Sequence, residues 1–126
     1  MTPDERTRHL FDLLDRLGEL GAEELLGYFT EENVNALTSI TGLLKDRLEV
    51  DRYLTRKLFV QIVGELYDLK WMWSRKLGET LNNAGDAYVK GEKVQAMWIL
   101  DGFIRFCSSP HYRSIAEKVL ERYGEG

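Results

Sequence analysis

The 126-residue chain has one cysteine, two prolines and two histidines, and each scarcity removes a class of explanation. A lone Cys107 cannot close an internal disulfide, and so sparing a use of thiol suits a reducing cytoplasm. Pro3 and Pro110 are the only prolines, so no ring interrupts a helix anywhere between them. His9 and His111 are too few for a zinc centre of recognisable spacing, and no Glu-x-x-His pair of the carboxylate di-metal kind occurs. No metal and no cofactor is expected. No apolar run reaches membrane length, and no basic-then-apolar N-terminus marks a signal peptide. The expected location is the cytoplasm, without membrane attachment. Strand signals are missing too, with no alternating run of four or more and no Asn-Gly turn.

What remains is helical periodicity. A chain of this length buries about two-thirds of its unfolded surface, enough to fold without staples. Its 44% hydrophobic and 30% charged content is that of an ordinary globular protein. The expected fold is a single all-α domain over residues 1–126, a bundle of five to seven antiparallel helices.

Residues 51–77 are expected to be the central helix. On a wheel, Lys57, Gln61, Gly64, Glu65, Asp68 and Arg75 share one polar face. The apolar residues, among them Leu58, Phe59, Ile62, Val63, Leu66, Tyr67, Trp71 and Trp73, sweep an arc of roughly 220°. A surface helix needs a stripe of only about 100°, so this one predicts packing on two sides or a second face for a partner. Asp51 is the candidate N-cap and Gly78 the candidate stop. Lys70 breaks the pattern, projecting among Leu66, Tyr67, Trp71 and Trp73. Its stem can lie on the core with the ammonium at an aromatic face or in water. The other reading is a buried or partner-facing lysine of lowered pKa.

The flanking segments are ordinary amphipathic helices. Thr2-Pro3-Asp4-Glu5 has the form of a capping box, with Leu10, Phe11, Leu13, Leu14 and Leu17 following before Gly18. A short helix is predicted over 21–29, and a third from Thr30 to about Leu48. Glu79 to Lys90 reads as a separate helix ending at Gly91. The next turns Ala96, Ile99, Leu100, Phe103 and Phe106 to one side, with Trp98 and Ile104 on the other. Ser108-Ser109-Pro110 is expected to cap the last helix, which runs to Gly124.

The charge is uneven along the chain. Residues 1–50 carry 11 acidic and 5 basic side chains, residues 51–78 carry 3 and 6, and residues 79–126 carry 7 and 6. The simplest account is internal complementarity, an acidic N-terminal half packing around a basic central helix. A chain of net charge −4 is a poor fit for nonspecific binding to nucleic acid or an anionic membrane and a candidate for a basic protein partner. Arg52, Arg56 and Lys57 beside Tyr53 could form a nucleic-acid stripe, but such a cluster more often salts a solvated face. Cys107-x-x-x-His111 has no third group to orient a nucleophile and base, so catalysis there is not expected.

One stretch has a familiar outline. Ala84-Gly85-x-x-Tyr88-x-x-Gly91-x-x-x-x-Ala96, then Phe103 and Pro110, resembles a tetratricopeptide-type helical hairpin, in which small residues let two helices approach. The Tyr-to-Gly interval is one residue short of that pattern, about 30 residues are covered, and no second copy follows.

Function is then expected from surface rather than chemistry. The reading is a non-catalytic protein-interaction module, in the size range of small adaptors, immunity proteins and antitoxins, with homodimerisation as one option. Tyr67, Lys70, Trp71, Trp73 and Trp98 are the candidate interface. The competing readings are a bundle holding an apolar ligand in an aromatic-lined pocket, and a nucleic-acid-associated small subunit.

Overall fold

The computed structural model describes residues 1–45 and 55–125. These form six α-helices and no strand: α1 (Pro3–Gly18), α2 (Ala22–Leu26), α3 (Glu31–Leu44), α4 (Arg56–Val89), α5 (Lys93–Phe106) and α6 (Pro110–Glu125). The all-α class is as expected. Asp51, Arg52, Tyr53 and the expected end of the third helix at Leu48 lie outside the described residues.

Helix starts follow local chemistry. The Glu5 N–H donates to Thr2 Oγ1 at 3.2 Å, and the Asn33 N–H donates to Thr30 Oγ1 at the same distance. Thr55 does the same for α4, accepting from the Leu58 N–H at 3.2 Å. Each hydroxyl satisfies one of the N–H groups that a helix start leaves without a carbonyl.

The expected break at Gly78 does not occur. Residues 79–89 continue α4 without interruption to a length of 34 residues. The helix stops instead at Gly91, the one described residue with positive φ, at 83°. There the Glu92 N–H donates to the Ala87 carbonyl at 2.9 Å and the Gly91 N–H to Tyr88 at 3.0 Å. This is the paired bonding of a Schellman cap, whose left-handed residue suits glycine. Gly91→Ala is therefore expected to cost about 1 kcal/mol. A thermal melt as stable as wild type would refute that role.

The buried residues of α4 also correct the expected wide arc. Phe59, Val63, Leu66, Lys70, Trp73, Leu77, Ala84 and Ala87 are the buried positions, one seam at spacings of three, four or seven. Trp71 is exposed, while Leu58, Ile62 and Tyr67 are only partly covered.

By internal contacts the chain divides into two units, Met1–Lys70 and Trp71–Gly126. In the first, α1 packs on α3, and Leu14, Leu17, Ile40, Leu44, Phe59 and Leu66 are almost wholly buried. Phe29 meets Phe59 edge-on with ring centres 5.3 Å apart. The second unit buries Trp73, Leu77, Phe103 and Tyr112 together with a cluster of small residues. Ala84, Ala87, Ala96 and Leu100 form its buried cluster, flanked by Leu81, Ile99, Val119, Leu120 and Tyr123. Alanines at these positions let helices approach closely. Tyr88 lies at the rim, 36% exposed and stacked on Tyr123 at 4.4 Å.

Candidate protein-interaction surface

The five residues expected at an interface do not share one environment. Tyr67 and Lys70 belong to the first unit and face α1. The Tyr67 ring lies where a side chain on Gly18 would be, so the end of α1 and the middle of α4 meet with no room for a Cβ. Lys70 is only 9% exposed. Its Nζ donates to both Asp15 oxygens at 2.6 and 2.7 Å and lies 5.5 Å from the centre of the Phe11 ring. The ammonium is thus held by a carboxylate and an aromatic face. Lys70 is part of the packing of its unit rather than an exposed contact.

Trp73 is likewise buried. It meets Phe103 edge-on at 6.0 Å, and Lys76 Nζ lies 5.5 Å from its ring centre. Its Nε1–H has no acceptor among the described residues. An unpaired buried donor costs about 1–3 kcal/mol, outweighed here by the area that a Trp ring buries. Trp71 is about half exposed on α4.

Trp98 alone of the five is widely exposed, at 71%. It stands on α5 between Val94 and Phe106, which are 66% and 84% exposed. Phe106 was expected inward with Leu100 and Phe103. On the wheel it lies well off the side marked by Ala96, Leu100 and Phe103, and α5 ends there, with buried Cys107 following. Val94, Trp98, Gly102 and Phe106 recur every fourth residue and so form one ridge along the helix. Along one flank of it Asp101 and Arg105 pair at 2.9 Å, with Arg105 the more exposed of the two. The opposite side of α5 is core. The i+4 recurrence is present in the sequence itself.

A groove of about 450 Å³ is lined by Leu13, Arg16, Leu17, Glu19, Leu20 and Tyr28, so its aromatic contribution is Tyr28 and not the tryptophans. Arg56 and Lys57 are exposed at the start of α4. Cys107 is buried and its thiol donates to the Ser109 carbonyl at 3.6 Å. Ser109 Oγ in turn accepts from the Tyr112 N–H at 3.3 Å, the cap expected for the last helix. Among the described residues no cluster of His, Cys, Asp or Glu could hold a metal ion, and no helix is long and apolar enough to cross a membrane.

Compared with protein-family models, curated proteins and solved structures, the chain matches none significantly.

Proposed function

We propose that the chain is a non-catalytic, cytoplasmic protein-interaction module, and that its contact surface is the ridge Val94–Trp98–Phe106 on α5. One observation carries this reading: two large aromatic side chains stand in water on the same ridge of a helix whose other side is core. Each such ring offers on the order of 150–250 Å² for burial, and Trp and Arg are enriched where interfaces concentrate their energy. The flanking Asp101–Arg105 pair supplies the polar rim such a patch requires. The turn at Gly91 with its alanine-lined neighbours is read, within this proposal, as the tetratricopeptide-like hairpin that presents α5.

Because these side chains do little for the fold, Trp98→Ser and Phe106→Ser should each change stability by no more than about 0.5 kcal/mol. A loss of several kcal/mol in a chemical melt would assign them to the core instead. The direct test is a photo-crosslinking phenylalanine analogue placed at position 98 or 106 in living cells, with Lys118, exposed on α6, as the control position. Protein adducts are expected at 98 and 106 and not at 118. Their absence at both ridge positions overturns the proposal.

A further inference from the structure

The α5 ridge is complementary to itself. Gly102 lies at its middle, with Trp98 four residues before and Phe106 four residues after. At about 1.5 Å rise per residue, each aromatic is about 6 Å from Gly102 along the axis. Turn a second copy of the helix antiparallel with the two glycines in register, and Trp98 of each copy falls opposite Phe106 of the other. The charges follow the same rule. Asp101 stands about 1.5 Å to one side of Gly102 and Arg105 about 4.5 Å to the other. Both lie on the same flank of the ridge, where they already pair within the helix. Antiparallel copies bring like flanks together, so each Asp101 comes within about 3 Å, along the axis, of the other copy's Arg105. A parallel pairing would place these charges on opposite flanks.

Gly102 itself points the same way. Glycine is the poorest helix former after proline, yet a Cβ at 102 would meet nothing within 4 Å in its own chain. Gly64 and Gly78 are equally open, but they stand on the polar face of α4, beside Gln61, Glu65 and Asp68 or Arg75 and Glu79. Gly102 is instead the flat centre of an apolar ridge, where its lack of a side chain lets two helix axes come close.

We infer that the partner of this ridge is a second copy of the chain, docked antiparallel through α5 with Gly102 at the two-fold axis. The inference rests on the reading of the ridge as a contact surface. Such an interface is isologous: aromatic meets aromatic and glycine meets glycine, and two acid–base approaches outnumber the one equally close approach of the two Asp101 carboxylates. A contact made by one helix pair falls at the small end of specific interfaces, so the dimer is a micromolar one.

Sedimentation velocity over about 1–500 μM, the span a small interface demands, reads it directly. Wild type should pass from monomer to dimer within that range. Asp101→Arg gives each copy two cations on the flank and Arg105→Asp gives two anions. Each variant alone should dimerise about tenfold more weakly or worse, since like charges are juxtaposed. An equimolar mixture of the two should recover association, as a heterodimer in which every facing pair is opposite in sign. Gly102→Leu, whose Cβ meets nothing within 4 Å in its own chain, should keep the helix content by circular dichroism and lose the dimer. A wild type monomeric at the top of the series overturns the second copy as occupant, whereas the ridge as a surface stands or falls on the adducts at positions 98 and 106. A wild-type dimer indifferent to Asp101→Arg, Arg105→Asp and Gly102→Leu overturns the inference as well. So does a mixture that fails to recover what the single reversals lose.

Discussion

Gly18→Ala is expected to destabilise the protein by about 3 kcal/mol, the upper part of the range for forcing atoms into a packed site. Two effects oppose each other at this position. Gly18 is the last residue of α1, with ordinary negative φ, and on helix propensity alone alanine would gain up to about 1 kcal/mol. The steric effect is larger. A Cβ built on Gly18 would overlap Cγ and Cδ2 of Tyr67. Those atoms belong to a rigid ring near its root on α4, so they cannot swing aside as the tip of a lysine would. Either α1 or α4 has to shift, which disturbs neighbours such as Leu17 and Leu66 that are about 1% exposed. In a chain of this size the loss lowers the melting temperature by on the order of 10 °C. The proof lies in the double variant. Tyr67→Ser alone removes packing, but Gly18→Ala placed on that background should be nearly neutral, a coupling of the kind a double-mutant cycle measures. A single Gly18→Ala variant as stable as wild type would show that the two helices are not in this contact.

This glycine shows how far the sequence can be read. Gly18 was legible as a helix end, and α1 does end there. Its cause was not legible, because the atoms that exclude a side chain belong to a residue 49 positions away. Capping was the most readable layer: Thr2, Thr30 and Ser109 each accept the backbone N–H their position implies. Such bonds span only three residues, so local sequence determines them. Gly78 was misread for the complementary reason. A glycine inside a helix costs about 1 kcal/mol, and that cost is covered when the apolar seam continues beyond it, here through Leu81, Ala84 and Ala87. Helix α4 ends only at Gly91, where the backbone takes a positive φ in a Schellman cap. The candidate surface was half legible. Trp98 was named from its residue type, whereas Tyr67, Lys70 and Trp73 are held within their own units by Gly18, Asp15 and Phe103. Counting apolar residues around α4 could not separate its buried seam from the partly covered residues beside it.

The Lys70–Asp15 pair should respond asymmetrically to mutation, with Asp15→Ala costing about 2 kcal/mol and Lys70→Met less than about 1. Both residues belong to the first unit, and Lys70 occupies a position of the α4 seam that is otherwise apolar. Removing Asp15 takes away the carboxylate that accepts the ammonium's hydrogen bonds at 2.6 and 2.7 Å while leaving the charge in place. Stripping one partner from a fully buried pair costs about 3–5 kcal/mol. The figure here is discounted because the Asp15 side chain is 30% exposed and water screens the pair in part. Removing Lys70 works the other way. Methionine fills most of the lysine stem's volume, and the remaining Asp15 can turn to water from its exposed side. Replacing a buried ion pair by apolar side chains is often neutral or stabilising, so the Asp15→Leu/Lys70→Met double variant should match wild type or exceed it in a urea melt. Equal losses for Asp15→Ala and Lys70→Met would contradict the buried placement of Lys70. A double variant that stays stable but unfolds with a smaller urea dependence would assign the pair a further task, fixing the one alignment of α1 against α4 that a purely apolar seam leaves free.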